Sequence, residues 1–313
     1  MTTPRVSVLI PTYRYARYLA EAVDSILAQD FSDFELLISD DCSGDGSREI
    51  MEAYAARDPR IRIHIHAANI GMVQNWNWCL SQARGDFVKY VFGDDRLARP
   101  DALGKMAAML EANPSATFAA SARDVIDGQS KTVGRMDTFG APGLHDAAES
   151  MFRCLAEGNI IGEPTVVMFR RAAAARSFSL AYEQLVDLEM WLHLLERGPL
   201  VYTAEALCAF RRHPLQRTET NRKNLTDKNE YLRLMLDYGR SPLLAGHDMR
   251  KIEFSRLYES RRFLHDKAVA SVRPLLMQRL GRPAYCARWF LRKLTNPFSA
   301  LAQRLSRRIQ PAR

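Results

Sequence analysis

Three acidic clusters stand out, because each follows a segment that reads as a β-strand. The first is Ser39-Asp40-Asp41-Cys42-Ser43-Gly44-Asp45-Gly46-Ser47. The second is Phe92-Gly93-Asp94-Asp95. The third is Asp187 with Glu189, beyond a loop containing Gly162-Glu163-Pro164-Thr165. An isolated Asp pair after a strand often does no more than cap a helix or make a turn. Three such clusters on one rim of a sheet are different, since like charges repel and a fold gains nothing by collecting them. A divalent cation, or a ligand rich in hydrogen-bond donors, offsets that repulsion. Carboxylates so arranged suit metal binding and recognition of N–H and O–H groups.

Alternating elements must position these clusters. Val6–Ile10 is a short apolar run, followed by Leu19, Ala22, Val23, Ile26 and Leu27 at the spacing of one helical face. Phe34–Ser39 reads as a strand and residues 47–56 as a helix. A strand over 61–66 and a helix over 72–83 come next. A strand over 87–92, a helix over 100–111 and a strand over 117–122 complete the series. Repeated units of this length predict a mostly parallel sheet with helices on both faces. Ligands of such sheets bind beyond the carboxyl ends of the strands. After Arg123 the pattern loosens into a glycine-punctuated stretch. Strands are expected at 166–170 and 207–211, with a helix at 187–196 between them, and a helical region from 221 onward.

Composition narrows the class. The 313 residues are 47% hydrophobic and 26% charged, as in ordinary globular proteins. The five cysteines are widely spaced without a C-x-x-C pair, which argues against a disulfide scaffold and for a reducing cytoplasm. No apolar run is long enough to span a membrane, and the N-terminus lacks signal-peptide character. The net charge of +8 is unevenly placed. Eleven Lys and Arg follow Asp266 with no acid among them, so the first 266 residues carry an excess of three acids. An acidic body does not suggest nucleic-acid binding.

Several segments resemble the family 2 glycosyltransferases of the GT-A fold. Val6-Ser7-Val8-Leu9-Ile10-Pro11-Thr12-Tyr13 is similar to the family's opening strand, and the Asp40–Ser47 segment to its second-strand motif. Asn69-Ile70-Gly71, Asn75 and Ala83-Arg84-Gly85-Asp86 resemble the approach to its metal-binding strand, which Asp94-Asp95 would end. Asp187-Leu188-Glu189-Met190-Trp191 resembles the catalytic-base segment, and Phe210-Arg211-Arg212-His213-Pro214 a later donor-site segment. The resemblance covers roughly residues 5–218. It implies an α/β GT-A catalytic domain over 1–220, with a nucleotide-binding half (1–122) and an acceptor-side half (123–220). A helical C-terminal extension over 221–313 follows.

The same resemblance implies inverting transfer of a sugar from a nucleotide-diphosphate sugar to an acceptor hydroxyl. Asp187 would be the base, with Glu189 and Glu183 as runners-up. Pro11, Thr12, Tyr13, Asp41, Asn75, Asp94 and Arg211 would bind the donor, although Asn75 equally suits a core or capping role. Asp41 would accept from a uracil or thymine N–H, favouring UDP- or dTDP-sugars, with a guanine nucleotide also compatible. Asp94, Asp95 and His213 would hold Mg2+ or Mn2+, although His213 equally suits an ordinary loop histidine. The residue two places before Asp94, often Asp in the family, is Phe92 here.

His64 and His66 share a strand face and read as packing, as do Trp76, Trp78 and Trp191. A sugar-phosphate nucleotidyltransferase is the competing enzyme class, and a non-catalytic nucleotide- or membrane-binding protein the competing class outside enzymes. A glycine-rich phosphate loop is absent, which counts against the former. The segment 278–313 interleaves nine Arg and Lys with Trp289, Phe290, Leu291, Leu294, Phe298, Leu301, Leu305 and Ile309. It reads as a basic amphipathic tail for an anionic membrane surface, or as a helix packed on the catalytic domain. The expectation is a cytoplasmic, peripheral enzyme of bacterial surface-polysaccharide or lipid-linked glycan assembly.

Overall fold

A computed structural model describes residues 3–213, 226–250 and 252. The chain alternates β1 (Val6–Thr12), α1 (Ala16–Leu27), β2 (Phe34–Asp40), α2 (Ser47–Ala55), β3 (Ile61–Ile65), α3 (Met72–Gln82) and β4 (Phe87–Tyr90). β5 (Arg96–Leu97), α4 (Ala102–Ala112), β6 (Phe118–Ile126), β7 (Thr132–Met136), β8 (Gly143–His145) and α5 (Ala147–Glu157) follow. Then come β9 (Val167–Arg170), α6 (Val186–Leu195), β10 (Leu200–Arg211) and α7 (Thr226–Tyr238).

Ten strands form one sheet in the order β3-β2-β1-β4-β9-β6-β10-β5, with β7 beside β6 and β8 beside β10. β1 to β4 are parallel to their neighbours among themselves, in the register Val8↔Leu36 and Val8↔Lys89. All seven residues of β1 and of β2 are buried, as expected for strands covered on both faces. The second half differs from the parallel expectation. β9 enters antiparallel between β4 and β6, and β5, β7 and β8 also pair antiparallel. The stretch read as glycine-rich loop holds β7 and β8, and α5 follows it. The Asp146 carboxylate caps α5, accepting from the Glu149 N–H at 2.9 Å. β6 runs four residues beyond its expected end and β10 starts seven before its expected start, because the two pair in parallel along their whole length.

One hydrophobic core links the two halves, from Val8 and Leu37 to Trp191 and Leu194. Leu234, Met235 and Tyr238 of α7 belong to it too, beyond the boundary expected at residue 220. Among the described residues no helix is long and apolar enough to cross a membrane. The basic segment 278–313 lies outside the described residues. Two glycines permit close backbone approach. A Cβ at Gly85 would stand 2.6 Å from the Ser7 backbone nitrogen. A Cβ at Gly93 would stand 2.8 Å from the Thr12 hydroxyl, so the loop carrying Asp94 can lie against the end of β1.

Candidate active site

The acidic pair after β4 is divided in two by its surroundings. Asp95 is buried: its Oδ2 accepts from the Thr165 hydroxyl at 2.6 Å and its Oδ1 from the Arg211 N–H at 2.9 Å. Desolvation, then the neighbouring charges of Asp94 and Glu163, push its carboxyl well above the usual range. Asp94 faces another way. Its Oδ2 stands 3.1 Å from His213 Nε2, and the Tyr15 hydroxyl also bonds to it. The His213 ring meets Tyr15 edge-on at 6.0 Å and lies tilted at 46° to Tyr18 at 5.4 Å between centroids.

Arg211 is fully buried behind this pair. Its guanidinium donates to the Asp94 carbonyl at 2.6 Å, the Asp127 carbonyl at 2.9 Å and the Ser130 hydroxyl at 2.9 Å. It also pairs with Glu21 at 2.6 Å and lies over the Tyr18 ring at 4.4 Å. Through its backbone N–H and its guanidinium, Arg211 ties the Asp95 carboxylate and the Asp94 carbonyl to the end of β10.

Among the described residues no three His, Cys, Asp or Glu side chains form a closed metal cage. Asp94 and His213 nevertheless bring one oxygen and one nitrogen to a shared point from separate segments. Two protein ligands, with the rest from phosphate oxygens and water, is how Mg2+ and Mn2+ are commonly held beside a diphosphate. The residues fit a divalent cation of that kind.

The residues expected to bind the donor are built on the tips of β1 and β2. Pro11 and Thr12 are buried at the end of β1, and the Thr12 hydroxyl has no hydrogen-bond partner among the described residues. Tyr13 is exposed, with Arg14 over its ring at 5.1 Å. Asp41 is buried, and its carboxylate accepts from the Ile70 N–H at 2.7 Å and the Gly71 N–H at 3.0 Å. Asp40 serves the turn itself, accepting from the Ser43 N–H at 2.9 Å. Asn75 is tied inward: its Oδ1 accepts from Ser39 Oγ at 2.7 Å, its Nδ2 donates to the Ser39 carbonyl at 3.1 Å, and His66 stands 3.2 Å away. His64 stacks on Trp78 at 4.0 Å. Trp191 is buried and donates to the Gly162 carbonyl at 2.9 Å.

Asp187 opens α6. Its Oδ1 accepts from the Leu188 N–H at 2.7 Å and its Oδ2 from Asn159 Nδ2 at 2.8 Å. Desolvation, reinforced by the charge of Glu163, pushes its carboxyl up to about 7. Glu189 points elsewhere, bound by Arg176 at 2.5 Å and by the Tyr238 hydroxyl at 2.5 Å. The segment 159–165 joins the two ends of the site. Asn159 touches Asp187, Glu163 acts on both Asp187 and Asp95, and Thr165 touches Asp95. Sequence reasoning missed Tyr15 and Asn159. Neither sits in a distinctive pattern, and only the turn after α5 brings Asn159 to the head of α6.

Residues 7–178, more than half the chain, match the family described as Glycosyl transferase family 2. The chain is a family 2 glycosyltransferase. It is 29% identical over 200 residues to TuaG of Bacillus subtilis, covering 64% of this chain and 75% of that one. TuaG carries the provisional name of a teichuronic acid biosynthesis glycosyltransferase. Among solved structures, S. aureus TarS 1-349 in complex with UDP-GlcNAc aligns with a TM-score of 0.64 at 20% identity, covering 83% of this chain and 73% of that one. The mannosyltransferase PcManGT from Pyrobaculum calidifontis, in complex with GDP-Man and Mn2+, aligns at 0.57 and 15% identity, covering 94% and 88%. These likenesses establish the GT-A fold of the glycosyltransferase.

Proposed function

We propose that this glycosyltransferase transfers a sugar from a nucleotide-diphosphate sugar to an acceptor hydroxyl with inversion, using Asp187 as the base. The observation that carries the reading is the bridge 159–165, which ties a carboxyl poised near neutrality to the Asp94–Asp95 end of the site. A base of that pKa is half ionised near neutral pH and still basic enough to take the acceptor proton as the hydroxyl attacks. Asp94 and His213 hold a divalent cation, which when bound offsets the charge developing on the leaving diphosphate. Asp95, held by Thr165, orients Asp94 through Arg211 rather than binding the metal itself. Pro11, Thr12, Tyr13 and Asp41 receive the nucleoside. Tyr13 supplies a flat exposed face, and the unpaired Thr12 hydroxyl is a ready partner for the donor.

UDP- and dTDP-sugars are the favoured donors. The complex of TarS with UDP-GlcNAc supports a uracil nucleotide, and that of PcManGT with Mn2+ supports the metal. The provisional naming of TuaG supports polysaccharide assembly on a glycan or lipid-linked acceptor. We place the enzyme at the cytoplasmic face of the membrane, held by its basic C-terminal segment. The first test is a panel of nucleotide-sugars with Mn2+ or Mg2+. Slow release of nucleoside diphosphate is the expected result. Release of pyrophosphate from a nucleoside triphosphate plus sugar phosphate would overturn the reading in favour of nucleotidyl transfer.

A further inference from the structure

Helix α7 comes after the last strand of the sheet, yet its polar side chains converge on the segment that presents Asp187. The Glu230 carboxylate is buried and accepts from three consecutive backbone N–H groups: Glu183 at 2.5 Å, Gln184 at 2.9 Å and Leu185 at 2.7 Å. Leu185 is the residue immediately before α6, two places from Asp187. The next residue of α7, Tyr231, accepts from the Asn159 N–H at 3.0 Å, and Asn159 in turn donates to Asp187 Oδ2 at 2.8 Å. At the far end of α7, the Asp237 carboxylate accepts from the Tyr182 hydroxyl at 2.6 Å. Tyr238 donates to Glu189 at 2.5 Å.

Three successive amides aimed at one carboxylate form charge-assisted bonds that hold a short backbone segment in a single conformation. With Glu230 replaced, those N–H groups lose their common acceptor, and the chain leading into α6 loses its anchor at residues 183–185, keeping only the one at Tyr182. The head of α6 and Asn159 are the two supports of the Asp187 carboxylate, and α7 holds both.

We propose that α7 is part of the catalytic apparatus, with Glu230 as a positioning residue that fixes Asp187 through the amides of residues 183–185, and with Tyr231 supporting the same carboxylate through Asn159. The proposal rests on Asp187 being the base. It assigns to the first helix beyond the sheet a role that its position in the chain does not announce.

The test uses the full chain with Glu230→Gln, Glu230→Ala and Tyr231→Phe, and with Asp187→Asn in parallel. Displacing a catalytic group by about 1 Å costs up to roughly 10²-fold. The expected result is therefore a roughly 10–100-fold fall in kcat for Glu230→Ala and a smaller fall for Glu230→Gln. The donor KM should stay within about twofold, because the donor end is untouched. Amide exchange at residues 183–185 should quicken in both Glu230 variants. If Glu230→Ala does not fold, Glu230→Gln and Tyr231→Phe decide the matter by the same split between kcat and KM. Unchanged kcat with Asp187→Asn inactive overturns this proposal alone. A loss shared equally by kcat, donor binding and melting temperature overturns it in favour of a purely structural role. Full transfer by Asp187→Asn overturns the base assignment and this proposal with it.

Discussion

In the proposed reaction Asp187 and Asp94 carry different chemistry on the same type of side chain, and their surroundings set them apart. Asp187 sits in a desolvated niche beside Glu163, which pushes its carboxyl up to about 7. Transfer should therefore rise with pH through about 7, as the base loses its proton. Asp187→Asn should lower transfer by at least ~10²-fold and leave donor binding nearly unchanged. Steady-state rates across pH 5–9 check both points. The same shift has a consequence for stability. The folded pKa lies above the unfolded value, so folding takes up a proton between about pH 4 and 7. Stability from this group is greatest in acid and is lost as pH rises through the folded pKa. Asp187→Asn should thus melt higher than the parent at pH 8, with the difference shrinking toward pH 4. Thermal melts at both pH values measure it. At the metal end, Asp94→Ala should weaken metal-dependent binding of UDP by at least about tenfold, the loss of one charged ligand. Calorimetry with and without Mn2+ reads the change, and equal affinity with unchanged metal dependence would count against Asp94 as a ligand.

At the scale of elements, the decisive feature is that the site is braced from behind by β10. Arg211 ends that strand and reaches across to Asp94, Asp127, Ser130 and Glu21 while remaining fully buried. Removing one member of a buried charged network leaves its partners unsatisfied and costs about 3–5 kcal/mol. Arg211→Ala is expected to destabilise by that order in urea denaturation and to abolish metal-dependent nucleotide binding. Arg211→Lys should rescue little, because one ammonium cannot reproduce the planar fork of donors. The family resemblance places Arg211 among the donor-binding residues, as part of the segment Phe210-Arg211-Arg212-His213-Pro214. Its long-range partners in α1 and in the β6–β7 turn are invisible in the linear order.

For the whole molecule, the charge division between an acidic body and a basic C-terminal segment is the main prediction. Each basic residue near an anionic surface contributes about 1 kcal/mol before salt screening. The full chain is expected to float with liposomes containing anionic lipid at low salt, and a truncation after Met277 is expected to remain in solution. Equal behaviour of the two chains would favour packing of that segment on protein.

The strand–helix alternation, the order of the acidic clusters and the identity of the family were all legible in the linear sequence. These rest on local periodicity and on short motifs, which survive without contacts. Asp187 as a helix-opening carboxylate was legible for the same reason, since both its type and its place are local properties. Four things were not. Asp95 and Asp94 are adjacent in sequence, but only burial under Thr165 and Arg211 separates an inward carboxylate from one that meets His213. For Asn75 the linear order leaves a donor-binding role and a core or capping role open, and its hydrogen bonds to the Ser39 hydroxyl and carbonyl arise only with the fold. The strands β7 and β8 lack a strong alternating pattern, because they are held by pairing to β6 and β10 rather than by burial of one face. The link from α7 to the head of α6 spans more than forty residues of sequence, and only the packed core brings Glu230 to the amides of Glu183, Gln184 and Leu185. Local chemistry is written in the order of residues, whereas the direction in which a carboxylate points is decided by partners that arrive from elsewhere in the chain.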